Sequence, residues 1–242
     1  MIKKIQITRT LPPLKAILSS ADTTIGVQKV RLQPWDVVDC EKLHDMVQRN
    51  RVALARFMPW IHYPMNFEEL VHWIARARAD YFSGTSFLWA IINDETAEII
   101  GNISLRFVGQ YRNPNAMEIG YWMDQEHSGK GFMTLACKMV IVLGFFSFAL
   151  DRIQISCNKE NLASRRVIEK CGFRFEGEIR NCFSKPTEKM LEEGYEKERS
   201  ELSYSLISED LSSLAWFQPL ASSITLHTLL GTKSWYKDTP IP

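Results

Sequence analysis

The sequence predicts a mixed α/β fold, with helices layered on one central sheet. Three observations point there. Strand-like and helix-like periods alternate from about residue 27 to about residue 208. Hydrophobic residues make up 45% and charged residues 24%, the balance of a chain with a substantial core. The length of 242 residues suits one large domain, or a domain with extensions. A formal net charge of +1 supplies no overall field to recruit nucleic acid or an anionic membrane.

Residues 1–26 show no clear period and read as an N-terminal extension, broken at Leu11-Pro12-Pro13-Leu14. Residues 27–32 read as a first strand. Pro34-Trp35-Asp36 then starts a helix running to about Asn50, with Val37, Cys40, Leu43 and Val47 at helical spacing. A segment rich in aromatic residues follows (Phe57, Trp60, Tyr63). Asn66 opens a second helix through Tyr81, its buried face formed by Leu70, Trp73, Ile74, Ala77 and Tyr81. The period then becomes strand-like at 87–92, 98–108 and 117–123, with turns at Asp94-Glu95 and Asn113-Pro114-Asn115.

A loop with Gly129 and Gly131 precedes a long apolar helix to about Leu150. Its most apolar run, 139–150, is well short of the roughly 20 residues a bilayer requires. Residues 152–157 form a short strand, 161–171 a helix stopped by Gly172, and 173–178 another strand. The charge-rich stretch 185–201 reads as a solvated loop, and residues 202–207 close the sheet. Residues 209–242 form a C-terminal extension unusually apolar for a disordered tail, with Trp216, Phe217, Leu220, Ile224, Leu226, Leu229, Leu230, Trp235 and Tyr236. The five cysteines lack metal spacing and fit buried thiols in a reducing compartment. His44, His62, His72 and His127 show no metal spacing either. No metal is expected, no membrane or nucleic-acid partner, and a cytoplasmic location is the default.

The chemistry concentrates in residues 118–177. A strand ends near Met123, and a loop holds Ser128, Gly129, Lys130 and Gly131 before a helix starts at about Phe132. The first N–H groups of a helix lack internal partners and carry partial positive charge, so the loop suits a phosphate or pyrophosphate. It matches neither G-x-x-x-x-G-K-[ST] nor G-x-G-x-x-G, and alone it also reads as a plain turn.

Taken together, the E-I-G-Y-W strand, the G-K-G-F-M-T loop, the R-I-x-I strand, the N-x-x-S-R-R-V-I-E-K-C-G-F helix and the following F-E-G resemble the GNAT superfamily of acetyl-CoA-dependent N-acetyltransferases. Within it the chain is most similar to the ribosomal-protein N-terminal (Rim-type) branch, which the pieces R-L-Q-P-W-D and N-R-x-x-L-x-R-F-M-P-W also resemble. The resemblance spans about residues 27–208. It implies a GNAT fold, a mixed and mostly antiparallel sheet whose fourth and fifth strands splay apart to admit the pantetheine arm of acetyl-CoA. It also implies that the amides of Ser128, Gly129, Lys130, Gly131, Phe132, Met133 and Thr134 hold the pyrophosphate. Ser128 stands where the family usually has Gln or Arg, and Met133 where Gly or Ala is common.

Acetyl transfer needs a neutral amine and a departing thiolate. An α-amine ionises near about 8 and a lysine near about 10.4, so a weak base or water relay suffices for a protein N-terminus. Glu118 is the candidate base; its other reading is an exposed strand carboxylate. Ile119 and Tyr121 alternate to the opposite face, and the resemblance implies that the backbone of Ile119 or a neighbour polarises the thioester. Glu178 ranks below Glu118, and the segment at Cys182-Phe183-Ser184 has no carboxylate where some members of the branch place a base. By resemblance Ser164 donates a hydrogen bond to the leaving sulfur. Asn161 suits cofactor amides, an ordinary helix cap, or both. Arg165 and Arg166 suit CoA phosphates or a solvated helix face. Phe57, Trp60 and Tyr63 suit either an acceptor rim or the core, whereas Trp35, Trp73, Trp89 and Trp122 read as core.

The expected activity is direct acetyl transfer to a primary amine in a ternary complex, with a protein N-terminal α-amine as preferred acceptor. A small-molecule amine (an antibiotic or a polyamine) and a non-catalytic acetyl-CoA-binding module are the alternatives. Monomer and homodimer are both compatible with the sequence.

Overall fold

The computed structural model describes residues 18–25, 28–63, 65–107, 113, 115–228 and 231–234. Ten strands form one sheet in the order β10-β9-β1-β2-β3-β4-β5-β6-β8-β7. The strands are β1 (Leu18–Ile25), β2 (Gln28–Pro34), β3 (Ser86–Asn93), β4 (Glu98–Phe107), β5 (Ala116–Met123), β6 (Arg152–Asn158), β7 (Arg174–Ile179), β8 (Glu201–Ile207), β9 (Thr225–Thr228) and β10 (Gly231–Ser234). Every strand pair is antiparallel except β5 with β6. Counted from β2, these two are the fourth and fifth strands.

Helices cover both faces. The first layer holds α1 (Cys40–Arg49), α2 (Arg51–Ala55) and α3 (Phe67–Ser83). The second holds α4 (Phe132–Val142), α5 (Leu162–Cys171) and α7 (Phe217–Ser223); the short α6 (Glu188–Glu192) lies between β7 and β8. Strand alternation feeds both layers. On β3, Phe87, Trp89 and Ile91 join the core under α4, while Ala90 and Ile92 join the core under α1 and α3.

Local signals set the helix ends. Asn66 accepts from the Glu69 amide at 2.8 Å and Glu69 returns a carboxylate to the Asn66 amide at 2.8 Å, closing a capping box on α3. Asn161 caps α5, and Gly172 ends it at φ 88°. Of the expected α3 face, Leu70, Ile74 and Tyr81 are buried, while Trp73 and Ala77 are half-buried. Val37 is exposed because residues 37–39 form a separate 3₁₀ turn ahead of α1. The long apolar helix expected to reach Leu150 leaves α geometry after Val142 and continues as a π-helical turn over Leu143–Ser147. Among the described residues no helix is long and apolar enough to cross a membrane.

The expected extensions meet the sheet. Residues 18–25 form β1, between β2 and β9. Beyond residue 208, α7 and β9 bury Phe217, Leu220, Ile224 and Leu226 in the α4-side core. Residues 1–17, Leu229, Leu230, Trp235 and Tyr236 lie outside the described residues. The stretch read as a solvated loop is corrected as well. It carries α6, buries Tyr195, and is tied to α2 through an Arg56–Glu196 ion pair at 3.1 Å and the Glu196 amide on the Arg56 carbonyl at 2.9 Å. Its charges find partners 140 residues away in sequence, which no local window reveals.

Phe217 is 1% exposed and its ring centroid lies 5.4 Å from that of Phe146. Phe217→Ala is expected to cost about 3–4 kcal/mol, read as a lower urea midpoint. An unchanged midpoint would mean that α7 does not share the main core.

Candidate active site

The site begins where a ladder stops. Strands β5 and β6 pair from Ala116↔Arg152 to Ile119↔Ile155 and no further. Strand β5 nevertheless continues against β4 as far as Met123, and β6 against β8 as far as Asn158. The two strands therefore part inside the sheet and leave a slot with unpaired backbone on both walls. Ile119 is the last residue of β5 to pair across it, and its side chain is buried in the core.

On the α4 side the slot meets an anion cradle. Gly129 and Gly131 have φ of 77° and 91°, which only glycine adopts without strain. Gly131 is the N-cap of α4 and has no side chain to offer. The first intrahelical bond runs from the Leu135 amide to the Gly131 carbonyl at 3.0 Å, so the amides of Phe132, Met133 and Thr134 have no helical partner. Ser128, Gly129, Lys130 and Gly131 are exposed, whereas the side chains of Phe132 and Met133 are buried and anchor the helix start. The cradle can receive a phosphate group without a catalytic side chain.

Asp124 braces this loop, a role the sequence reading missed. Its side chain is 2% exposed and accepts from Arg49 Nε at 2.9 Å and Nη2 at 2.5 Å. Its backbone amide bonds to Ile100 O at 2.9 Å, and the Asn50 side chain takes the Gln125 amide at 2.8 Å. Burial alone would raise the Asp124 carboxyl, but hydrogen bonds from Arg49, Asn50 and the Glu126 amide hold it below the usual carboxylate value. His127, half-buried, packs its ring edge-on against Phe132, with centroids 6.1 Å apart.

Deeper on the same side, Tyr121 and Ser164 meet. The phenol oxygen lies 2.9 Å from Ser164 Oγ and donates to Ser164 O at 3.2 Å. Burial, with Cys137 nearby, pushes the Tyr121 phenol well above its ordinary value, so it stays a neutral donor. Burial raises the Cys157 thiol to about 11, against the lowering influence of Ser164 beside it. Asn161 spends its side chain on the Ser164 amide at 3.1 Å, the helix-cap reading. Arg165 bonds Glu169 at 2.8 Å on the exposed side of α5.

The other mouth of the slot opens on the α1–α3 face. Glu118, Gly120 and Trp122 alternate to this side. Glu118 accepts from Arg106 Nη2 at 3.1 Å and from Ser156 Oγ at 3.4 Å. Glu178 is held by Lys159 at 3.0 Å through both carboxylate oxygens. Trp60 packs against Trp122 with ring centroids 6.1 Å apart, so this pair is rim and core at once; Tyr63 is exposed. His62 sits between Glu193 Oε2 at 2.5 Å and the Ala55 carbonyl at 2.8 Å, which fastens the segment before β8 to the helical rim. Among the described residues no group of three His, Cys, Asp or Glu side chains is placed to hold a metal.

Asp124→Asn is expected to lose about 2 kcal/mol at pH 7. The folded carboxyl is lowered, so its stabilisation is present above the unfolded value of about 3.9 and is lost as pH falls through the folded value. Thermal midpoints of the two proteins should therefore converge below about pH 4. A gap that stays constant with pH would contradict the ionic role of Asp124.

The family profile described as acetyltransferase (GNAT) domain matches residues 29–174. The chain is 40% identical over 153 residues to the "Probable N-acetyltransferase YjcK" of Bacillus subtilis, covering 61% of this chain and 82% of that protein. It is 27% identical over 135 residues to the ribosomal-protein-serine acetyltransferase of Escherichia coli, covering 56% and 73%. Among solved structures, RimL, a ribosomal L7/L12 α-N-protein acetyltransferase in complex with coenzyme A, superposes with a TM-score of 0.66 at 20% identity, covering 77% of this chain and 97% of that one. With the GNAT profile covering more than half of its length, the chain belongs to the GNAT acetyltransferase family.

Proposed function

We propose that the protein transfers an acetyl group from acetyl-CoA to a protein N-terminal α-amine. The single observation carrying this reading is the slot between β5 and β6, with hydroxyl donors at one mouth and carboxylates at the other. A pantetheine arm entering from the α4 cradle would lay its thioester in the slot, and the amine would approach from the carboxylate side. Names of relatives support the acceptor class: one acts on a ribosomal-protein serine and another is an α-N-protein acetyltransferase.

Acetyl-CoA is the cosubstrate in this reading. Its diphosphate would lie on the amides of residues 128–134, charge against partial charge. Its thioester carbonyl would accept from β5 backbone near Ile119 that no strand satisfies. Ser164 donates toward the sulfur as negative charge develops on it, without surrendering its proton completely, and Tyr121 steadies Ser164 by donating to its carbonyl. Glu118 faces the incoming amine. No residue becomes acylated; both reactants meet in one slot, and proximity supplies much of the rate.

Thiol release measured over N-terminal peptides, polyamines and aminoglycosides tests the activity. Turnover of peptides with a free α-amine, abolished by N-terminal blocking, is the expected result. Turnover of polyamines or aminoglycosides alone would move the acceptor to small amines, and cofactor binding without turnover of any amine would favour a binding module. Ser164→Ala should lower kcat about tenfold to a hundredfold while KM for acetyl-CoA stays within about twofold. Glu118→Gln should lower turnover most at low pH, where the amine is protonated, and leave coenzyme A affinity nearly intact. Calorimetry showing no association with coenzyme A would overturn the whole reading.

A further inference from the structure

A second carboxylate faces the open mouth of the slot. Glu201 begins β8, opposite Asn158 of β6 and Ile179 of β7. Strand alternation puts it on the face that carries Ser156 and Glu118. Ser156 stands between the two carboxylates. Its hydroxyl donates to Glu118 Oε1 at 3.4 Å, and Glu201 stands diagonally across the β6–β8 ladder from it on the same face, near enough for Ser156 to lower its carboxyl. One hydroxyl between two carboxylates is a proton bridge, since it can give its own proton to one side while taking another from the opposite side.

The surroundings of the two acids differ. Both Glu118 oxygens already accept, one from the Arg106 guanidinium and one from Ser156. Glu201 is half-buried and has no ion-pair partner among the described residues. The titratable groups facing it are Glu118 across Ser156 and Cys182 from the segment after β7. Burial first, and the charge of Glu118 after it, hold the Glu201 carboxyl above its ordinary value, against the lowering influence of the neighbouring Ser156 hydroxyl and Cys182 thiol.

We infer that Glu201 is the terminal acceptor of the proton taken from the substrate amine, receiving it from Glu118 through Ser156. The inference rests on the acetyl-transfer reading above. One N–H proton of the ammonium passes to Glu118 as Ser156 delivers its own proton to Glu201 and is reprotonated by Glu118. The freed nitrogen lone pair attacks the thioester carbonyl carbon. The C–S bond breaks with its electron pair on sulfur, and a second N–H proton neutralises the thiolate. The proton on Glu201 returns to solvent before the next turnover. Glu201 thus acts through Ser156 and Glu118, and a carboxyl that retains a proton more readily than an ordinary one suits that duty near neutral pH.

The test is the pH dependence of kcat/KM for the best peptide acceptor, in the wild type and in Glu201→Gln, Glu201→Asp and Ser156→Ala. Glu201→Gln and Ser156→Ala should lose about tenfold or more at pH 6 and recover to within about threefold of wild type at pH 9, where free amine is abundant. Glu201→Asp should restore part of the low-pH rate. A merely structural role would lower the rate equally at every pH, and that result would overturn the inference. Stability supplies a readout independent of turnover. A raised folded carboxyl makes stability fall as pH climbs from the unfolded value of about 4.3 through the folded one. Glu201→Gln should therefore melt above wild type at pH 8, with the gap closing toward pH 4; a midpoint equal to wild type at pH 8 would also overturn it. Failure of the wild type to acetylate any amine overturns the proposed function and the relay with it, whereas transfer with an unaltered pH profile in Glu201→Gln overturns the relay alone.

Discussion

The structure turns on a sheet that is deliberately left incomplete in its middle. A buried N–H or C=O without a partner costs as much as a lost hydrogen bond, so sheets normally satisfy every interior strand. Here β5 and β6 are held apart beyond Ile119 and Ile155, each kept straight by its outer neighbour, β4 on one side and β8 on the other. A ligand that enters as an extended chain can supply the missing partners.

What keeps the gap open also organises the chemistry on its two sides. Since β5 alternates, a single strand sends Glu118 toward the α1–α3 face and Tyr121 toward the α4–α5 face. The Glu118 carboxylate and the Tyr121–Ser164 hydroxyl pair are thus separated by the thickness of one backbone. The Asp124 anchor then fixes the turn after β5 to α1, so the cradle at the start of α4 keeps its position relative to the slot.

Much of this was legible in the sequence, and the reasons are physical. Alternation marked β3 through β6, the capping box at Asn66 and Glu69 marked the start of α3, and Gly172 marked the end of α5. The parted strands came from the resemblance, because a break in pairing leaves no local trace in either strand. Three features escaped. Strand β1 lacks a recognisable period and pairs on its outer side with a strand far along the chain. Glu201 was lost in a run of like residues, because its half-burial depends on β6 and β7 on either side of it. Asp124 gave no local sign of its role, because its partner Arg49 belongs to α1, far back along the chain.

The far edge of the sheet carries a different consequence. Ala21 pairs on one side with Leu32 and on the other with Leu226. The hairpin of β1 and β2 is local, yet its outer edge is covered only by a strand from the far end of the domain. Such long-range pairing is slow to form, and until it does the bare edge is a template for strand addition by other chains. The contact of β9 with β1 thus guards the sheet against association as well as completing it.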